Sequence, residues 1–434
     1  MPLSIRVQIC SGLAAVSSSE WNSLLEPDDA PLLSWEYLEG LERSGCVGPN
    51  TSWQPMHVLL RHVEPSGDQS PGPLLAAAPV YVKYDSDGEW VLDVDWAAYA
   101  ASVGIAYYPK LISAVPFNPV TGSRLLTAPD LSPEERSQHQ RLLLGVLSQL
   151  AKSAGLSSAH VLFHRLDGEL GVQLEQAGYL QRRQEQYHFH NTGYGTFDDY
   201  LSALNSHRRT AIRRERRSLR EAGITVRTYR GLDCEGGFNS AQLDAMFDMY
   251  WGTSVRYTGG APYLNRAFFH LCAARLRDRL ELVLAYRGKD ELVGGAWNLR
   301  GDHRLFGRYW GEARSIPFLH FEVCYYHSIE RCITERLQAF EPGHGGEHKL
   351  LRGFEPVYTH SAHCVHSLNL RQPISAYLQF EASHIEQEVQ AAMRRCPLRS
   401  VRRSAASVTS PPSPTGDKDG GGPGSERQPS PVSK

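Results

Sequence analysis

The sequence predicts an α+β fold made of two similar halves, each a mixed, mostly antiparallel sheet flanked by helices. Strand-like apolar runs recur in both halves, and each half holds one strong amphipathic helix. The order of these elements is the same in both halves. Of the 434 residues 41% are hydrophobic, which is enough to build cores and excludes a largely disordered chain.

In the first half, turn residues and apolar spacing mark the elements in order. They are the strands MHVLLRHV and LLAAAPVYVKY with the turn-rich EPSGDQSPGP between them, an extended stretch near Leu111, a helix from Ser132 to about Ala154, the strand AHVLFHR, a helix ending near Ala177, and the strand QYHFH. The long helix has the clearest signal, because Ser132 is a good cap and Pro133 suits the first helical position.

The second half repeats this order. Its elements are the strands LELVLAYR and ELVGGAWNLRG joined by the turn RGKD, the strand RLFGRYWG, a helix from Phe318 to Leu337, a short strand LQAFEP, a glycine-rich loop, a short helix near Leu350, and a strand pair around His363 to Leu370. In that helix the apolar side chains from Phe318 to Cys332 fall on one side.

Three antiparallel strands, a helix, a strand, a helix and a last strand is the order of the GNAT acyltransferase core. Finding it twice predicts tandem GNAT-like domains from an internal duplication, with LLAAAPVYVK and LVGGAWNLRG as corresponding strands. We place the domains at 1–192 and 226–385, with an arginine-rich helical connection at 193–225. From about Leu398 the chain is rich in Ser, Pro and Gly, so we predict a disordered tail at 398–434.

The connection is predicted to be one long helix from Phe197 to Gly223 with a dense positive field. Its arginines include Arg208, Arg209, Arg213, Arg214 and Arg217, and few acidic residues accompany them. Such a helix suits the phosphates of a nucleotide, of a coenzyme A pyrophosphate or of a tRNA backbone. The alternative is a solvated helix between the domains whose arginines pair with acidic groups elsewhere.

Composition narrows the classes of protein further. With 45 basic and 47 acidic residues the net charge is −2, which argues against a histone-like protein. The N-terminus is too polar for a signal peptide, and no apolar run reaches the length of a membrane helix. The eight cysteines are scattered without a C-x-x-C, which is typical of reduced thiols in a cytoplasmic protein.

Several long blocks resemble a family of N-acyltransferases described as FemAB-like and associated with peptidoglycan biosynthesis or recognition. The blocks are KYDSDGEWVLDVDWAAYA, YYPKLISAVPFNPVTGSRLL, SSAHVLFH, QYHFHNTGYGTFDDYLSAL, HRRTAIRRERR, LFGRYWG, FLHFEVCYYHSIE and GEHKLLRGFEPVYTHSAH. The resemblance runs from about Trp21 to Glu381. The family is similar to the Fem aminoacyltransferases, which move an amino acid from aminoacyl-tRNA to an amine. Relatives in photosynthetic eukaryotes leave a plastid version open.

The strongest candidate site follows the fifth strand of the second domain, where the gap between strands of a GNAT core receives the acyl chain. Glu347 and His348 are candidate bases for the proton of the attacking amine, and Lys349 and Arg352 are candidate ligands for a phosphate or carboxylate. The alternative is a structural polar cluster that ties the loop to its neighbours. We expect Glu347, His348 and Arg352 to face one cleft shared with Asp93 and Tyr108.

The preceding strand and helix add further candidate substrate-binding residues. Strand alternation places Arg308 and Trp310 on one face. His320 and Glu322 follow on the helix, where Glu322 is a candidate carboxylate for substrate or a partner of Arg308. Cys324 lies one turn after His320, but a small buried cysteine is commoner there than a nucleophile.

In the first half, charged and aromatic residues crowd a short stretch that includes Asp93, Trp96, Tyr108 and Lys110. Such a mixture suits the recognition of a polar, sugar-like or peptide-like acceptor, and carboxylates attract its ammonium group. Ordinary packing between domains is the alternative for these residues.

One departure from the family pattern is His344, which stands where the family usually has Gln. It completes the metal motif H-x-x-E-H with Glu347 and His348, but Gly345 and Gly346 disfavour the helix that motif needs, so we predict no metal. The GNAT coenzyme loop is also missing, since GEARSIPFLHFE stands in its place. This favours aminoacyl-tRNA over acyl-CoA as cosubstrate, with no bound cofactor.

The sequence therefore predicts an N-acyltransferase that moves an acyl or aminoacyl group to an amine, with a cell-wall precursor among the candidate acceptors. The alternative is a non-catalytic module that recognises peptidoglycan precursor or RNA.

Overall fold

The computed structural model describes residues 4–29, 31–63, 72–166, 168–231, 233 and 237–402. The helices are α1 (Ser18–Asn22), α2 (Trp35–Arg43), α3 (Val94–Ser102), α4 (Pro133–Ser153), α5 (Leu170–Gln176), α6 (Phe197–Ala203), α7 (Ser206–Glu221), α8 (Ser240–Thr258), α9 (Arg266–Arg275), α10 (Leu319–Phe321), α11 (His327–Thr334), α12 (Glu347–Leu350) and α13 (Leu368–Arg395). A 3-10 turn covers Leu13–Ala15, and a π-turn at Glu322–Tyr326 joins α10 to α11.

The strands are β1 (Ile5–Cys10), β2 (Trp53–Pro55), β3 (His57–His62), β4 (Leu74–Ala78), β5 (Val80–Lys83), β6 (Lys110–Ser113), β7 (Leu126–Thr127), β8 (Ser158–His164), β9 (Leu180–His190), β10 (Ile224–Arg230), β11 (Leu280–Arg287), β12 (Glu291–Arg300), β13 (Arg304–Glu312), β14 (Ala339–Glu341) and β15 (Glu355–Val365). The predicted α+β fold, with mixed, mostly antiparallel sheets flanked by helices, is confirmed. The turn-rich segment between β3 and β4 lies largely outside the described residues.

One sheet runs through both halves. Its eleven strands follow the order β10-β11-β12-β13-β14-β9-β15-β8-β6-β5-β2. The last strand of the first half, β9, pairs with β14 of the second, and the last strand of the second half, β15, pairs with β8 of the first. Each half therefore completes the sheet of the other, and the two are joined by backbone hydrogen bonds as well as by side chains.

The predicted strand LLAAAPVYVKY is two strands in two different sheets. β4 belongs to a smaller sheet of order β1-β3-β4-β7, whereas β5 belongs to the large sheet. Pro79 separates them, and a proline lacks the N–H that a continuous ladder needs.

The helix α13 replaces the strand pair predicted around residues 363–370. A single strand, β15, ends at Val365, and the 28-residue helix starts at Leu368. Pro373 lies inside this helix and obscured its signal, because a proline removes one helical hydrogen bond. Burial of Ile374 and Leu378 against the first half compensates for that loss.

The predicted connecting helix is broken into α6 and α7. Asn205 caps α7 by accepting a hydrogen bond from the backbone N–H of Arg208, and Leu204 just before it bridges to Leu398. The tail prediction is wrong for residues 398–402, because Leu398 and Val401 are buried against this junction. Residues 403–434 lie outside the described part of the chain.

Substituting Gly311→Ala is expected to lower the free energy of unfolding by about 2–3 kcal/mol. A Cβ at this position in β13 would clash with the backbone of α8 at Met249, which packs directly on the strand. Gly145→Ala is the matched control, since a Cβ on this exposed face of α4 meets nothing and should stabilise the protein by up to about 1 kcal/mol. Urea unfolding of both variants measures the difference, and a neutral Gly311→Ala would contradict this packing.

Candidate functional site

A gap opens in the second half where β13 and β14 part. The two strands pair in parallel from Arg304↔Ala339 to Phe306↔Glu341 and no further. β13 continues to Glu312 against β12, while β14 stops at Glu341. The gap is thus bounded by the last part of β13 on one side and by the glycine-rich loop after β14 on the other.

Arg308 lies at a β-bulge and reaches into this gap. Trp297 pairs with Tyr309 and Asn298 with Gly307, so Arg308 is the extra residue and the predicted alternation with Trp310 is broken. Its Nη1 donates to the carbonyl oxygens of Gly307 (2.8 Å) and Glu341 (2.9 Å). Its side chain is 3% exposed, yet Nε and Nη2 have no hydrogen-bond partner among the described residues.

The carboxylate of Glu341 completes a buried pair with Arg308. Its Oε2 lies 3.9 Å from Arg308 Nη2, too far for a hydrogen bond, while its Oε1 accepts from Arg304 Nη1 at 2.9 Å. Buried N–H groups without acceptors are costly, and they are uncommon in native proteins. The guanidinium therefore keeps donors available for a group that enters the gap.

Lys349 lies across the loop from Arg308. Its Nζ donates to the carbonyl oxygens of Gly343 (2.7 Å) and His344 (3.1 Å), in a loop bent by positive φ angles at Gly345 and Gly346. Burial, and then the charge of Arg308, lower the pKa of this lysine to about 7. A neutral amine has two N–H groups, both used on the loop, which leaves its lone pair to accept a proton.

An aromatic and imidazole cluster lies beside Lys349. It consists of three predicted residues and the neighbouring Tyr325. The His320 ring is 4.6 Å from Trp310 and 5.9 Å from His348, and His348 Nε2 is 2.9 Å from the Tyr325 hydroxyl. Burial lowers the pKa of His320 to about 3 and also lowers that of His348, so both imidazoles are neutral near pH 7. The cluster gives the gap a firm, uncharged wall.

Other predicted residues of the second half point elsewhere. Glu347 is 64% exposed and pairs with Arg395, away from Lys349. Arg352 donates to the carbonyl oxygen of His348 and pairs with Glu215 of α7 at 3.2 Å. The expected single cleft holding Glu347, His348 and Arg352 together is therefore not assembled, because the short helix α12 sends these side chains in different directions.

Glu322 is likewise engaged in structure. Both of its carboxylate oxygens accept hydrogen bonds from Arg216 of α7. Glu322 therefore does not pair with Arg308 and is not free to bind a substrate from solvent. Cys324 is partly buried within the π-turn, and burial raises the pKa of its thiol. A thiol that stays protonated is a poor nucleophile.

The geometry does not favour a metal site around His344. The two glycines separate it from His348, and its ring instead lies 5.5 Å from Trp90 of the first half. Among the described residues no group of three or more His, Cys, Asp or Glu side chains is placed to hold a metal ion.

In the first half, Asp93, Tyr108 and Lys110 belong to one buried network. Lys110 Nζ bonds Asp93 and, at 2.8 Å, Glu89, while Ser86 joins Asp93 to the Tyr108 hydroxyl. Burial raises the pKa of Glu89 to about 7; it also opposes ionisation of Asp93, but Lys110 prevails and lowers the Asp93 pKa to about 2. This network supports the loop that carries Trp90 to the mouth of the gap.

Trp96 does not join that network. It packs 4.9 Å from the His363 ring and under Arg182, between α3 and β15.

Several residues near the gap escaped sequence reasoning. Tyr37 and Asn118 of the first half bond the Tyr309 hydroxyl of the second at 3.1 and 3.3 Å. Phe117 stacks on Tyr263 at 4.9 Å. Only the family block containing VPFNPV marked the stretch with Phe117 and Asn118, and their partners Tyr263 and Tyr309 lie more than a hundred residues away.

The corresponding gap in the first half is closed by its own chain. Gly122 inserts beside β8, donating to Phe163 O and accepting from the N–H of Arg165, each at 3.1 Å. The buried Arg124 gives its guanidinium to backbone carbonyls, including Leu162 O at 2.8 Å. The open gap is thus a feature of the second half.

The basic surface of α7 is partly free. Arg213, Arg214 and Arg217 are exposed, whereas Arg208 and Arg209 are half-buried. Arg213 pairs with Asp198 at 2.8 Å and Arg217 contacts Glu221 at 3.9 Å, both at the surface. Such exposed pairs hold little energy, so these charges are available to a polyanion.

These features define an α+β protein whose two halves share one large sheet, with an open gap where β13 and β14 part. The sequence matches the FemAB-like family, described as peptidoglycan biosynthesis or recognition, over residues 12–400, and the chain belongs to this family. No curated protein matches the chain.

Three solved structures are similar in fold. FemX has 11% identity and a TM-score of 0.49, covering 85% of this chain and 100% of its own. The C-terminal domain of a putative lysylphosphatidylglycerol synthetase from Agrobacterium fabrum has 10% identity and a TM-score of 0.45, covering 84% and 95%. A tandem GNAT protein from the clavulanic acid biosynthesis pathway has 10% identity and a TM-score of 0.41, covering 83% and 98%. Likenesses at this level carry no conclusion about activity. In the described part of the chain no helix is long and apolar enough to cross a membrane.

Proposed function

We propose that this protein is an N-acyltransferase that acts in the gap between β13 and β14. The observation that carries the proposal is the buried guanidinium of Arg308, with two donor groups unpaired among the described residues at the point where the strands part. Unpaired donors in a water-poor site suit the oxyanion that forms when an amine attacks a carbonyl.

In this mechanism the acceptor amine attacks the carbonyl carbon of an activated acyl group and forms a C–N bond. Arg308 Nε and Nη2 donate to the carbonyl oxygen as it becomes negative. Neutral Lys349 takes the proton that the amine loses, and the carbonyl oxygens of Gly343 and His344 stabilise the resulting ammonium. Collapse of the intermediate breaks the bond between the carbonyl carbon and the oxygen or sulfur of the carrier. The Lys349 ammonium returns its proton to that departing atom, so the lysine is neutral again and no group stays bound to the protein.

The two substrates would approach from different sides. The acceptor enters beside Trp90, where the first half meets the loop at His344, and the family description supports a cell-wall precursor. The donor is an aminoacyl-tRNA whose backbone phosphates lie along the exposed arginines of α7, or an acyl-CoA. Arg216 and Arg352 support this arrangement because their ion pairs fix α7 beside the gap.

Transfer of radiolabelled amino acids from charged tRNA to a cell-wall precursor, and of acetyl groups from acetyl-CoA, tests the function directly. The proposal is supported if radiolabel appears in the acceptor and if this transfer is lost when residues of the gap are substituted. Binding of precursor or RNA without transfer from either donor would favour a recognition module and overturn the proposal.

The triple substitution Arg213→Gln, Arg214→Gln and Arg217→Gln is expected to weaken tRNA binding and to reduce the slope of log K against log salt by about 2–3. Loss of three phosphate contacts is the physical reason. Filter binding across a salt series measures it, with Arg43→Gln on the exposed end of α2 as the matched control. An unchanged slope would place the RNA elsewhere.

A further inference from the structure

A second cavity lies in the first half, apart from the gap. Its volume is about 570 Å³, within the usual range for small-molecule sites. The amino-terminal half of α4, the start of α5 and the segment just before β7 form its walls. Arg308, Glu341 and Lys349 of the gap are not among its lining residues, and the transfer mechanism does not use this cavity.

The floor of this cavity is a polar junction around Ser137. The Ser137 hydroxyl accepts from Arg141 Nη1 at 2.6 Å and from Gln173 Nε2 at 2.7 Å, and it donates to Glu169 at 3.4 Å. Gln173 is 3% exposed, and its carbonyl oxygen has no hydrogen-bond partner among the described residues. A buried acceptor without a donor is what a bound N–H group would satisfy.

Charged side chains of both signs at this junction have no ion-pair partner among the described residues. Arg141 makes no ion pair within the described ranges, and neither do Glu169 and Glu134 on the same wall. By contrast, Arg136 and Arg165, which also line the cavity, are both held by Glu26 at 2.7 Å. Two carboxylates and one guanidinium that form no ion pair among the described residues match a ligand that carries a carboxylate and an ammonium group together.

The rest of the lining supplies apolar surface. Leu125, Leu131 and Leu170 border the polar junction and would cover an aliphatic side chain. We infer that this cavity binds a small zwitterion derived from amino acids, of about dipeptide size, with its carboxylate on Arg141, an amide N–H on Gln173 and its ammonium on Glu169.

Isothermal titration with L-alanyl-L-leucine, its C-terminal carboxamide and its N-acetyl derivative tests this assignment. The full-length protein is expected to bind the free dipeptide at least tenfold more tightly than either derivative. Arg141→Gln should abolish the preference over the carboxamide and keep the preference over the N-acetyl form. Glu169→Gln should do the reverse.

Arg141 is exposed on α4, and Glu169 is exposed at the N-cap of α5, where its side chain makes no capping hydrogen bond. The fold is therefore expected to survive both substitutions, and Arg43→Gln serves as the control. Absence of dipeptide binding at about 10 mM, equal binding of all three probes, or variants that keep the wild-type pattern would overturn the assignment. The acyl-transfer assay is independent of this result, because none of these residues belongs to the gap.

Discussion

Lys349→Met is expected to lower kcat for amine acylation by about 10²- to 10⁴-fold, the range that a positioned general base contributes. The variant keeps the volume of the side chain and loses the lone pair. Lys349→Arg should fail to the same degree, because a guanidinium keeps the donors to Gly343 and His344 but cannot accept a proton near pH 7. Steady-state transfer with saturating acceptor measures both.

The pH profile separates a base from a merely structural lysine. Since the folded-state pKa of Lys349 is about 7, the fraction of neutral amine rises through that pH, and kcat of the wild type should rise with it to a plateau. In Lys349→Met this rising limb should vanish from the residual activity. If kcat of the variant still rises through pH 7, a group other than Lys349 accepts the proton.

The substitution Lys349→Met should change stability in the opposite direction to activity. The pKa of Lys349 in the folded protein is below the value of 10.5 for an unperturbed lysine, so the unfolded chain binds more protons between about pH 7 and 10.5. The lysine therefore destabilises the fold increasingly as the pH falls through this window. Relative to wild type, Lys349→Met should gain Tm from pH 10 to pH 7, which shows that its lost activity does not come from unfolding.

Local signals in the sequence predicted most elements but could not predict how they are assembled. The helix α4 matches its expected bounds closely, because the capping box of Ser132 and Glu135, with Pro133 at the first helical position, lies within a single segment. The exchange of β9 and β15 between the halves depends on pairings between residues about 170 apart, such as Thr359 with Gln184, and no periodicity encodes them.

The candidate site shows the same division. The block GEHK drew attention to the loop that borders the gap, but composition alone could not rank Glu347, His348 and Lys349. The structure separates them by burial: Glu347 is exposed to solvent beside Arg395, whereas Lys349 is 3% exposed beside Arg308. Arg308 itself was predicted on the face of Trp310 because a bulge has no signature in strand alternation.

The two halves differ in one physical respect, since the gap is closed in the first half and open in the second. In the first half, Gly122 and Arg124 fill the space between the parting strands with backbone and guanidinium. In the second half, the bulge at Arg308 spans the same position but leaves two donors unused. Under the proposed mechanism the first half would line the approach of the acceptor, while the second half would supply the groups that act on the reacting carbonyl.

Arg308→Lys is expected to lower kcat by about 10²- to 10³-fold, which is the usual loss when an oxyanion donor is removed. A lysine keeps the positive charge toward Glu341 but is shorter and lacks the planar fork, so it cannot donate both to Glu341 O and into the gap. KM for the acceptor should change little, because the interaction strengthens only as the oxyanion forms. Single-turnover transfer measures the chemical step.

A double substitution distinguishes this role from simple support of the fold. Arg308→Met leaves Glu341 short of a partner and should cost up to about 3 kcal/mol of stability, whereas Arg308→Met with Glu341→Gln removes the buried charge and should recover most of it. Arg304→Met, which removes the other partner of Glu341, is the matched control and should lose stability without losing kcat. If the stability of the double variant and its kcat both recover, Arg308 only holds β13 and β14 together; if kcat stays low in a stable protein, the guanidinium acts on the reacting carbonyl.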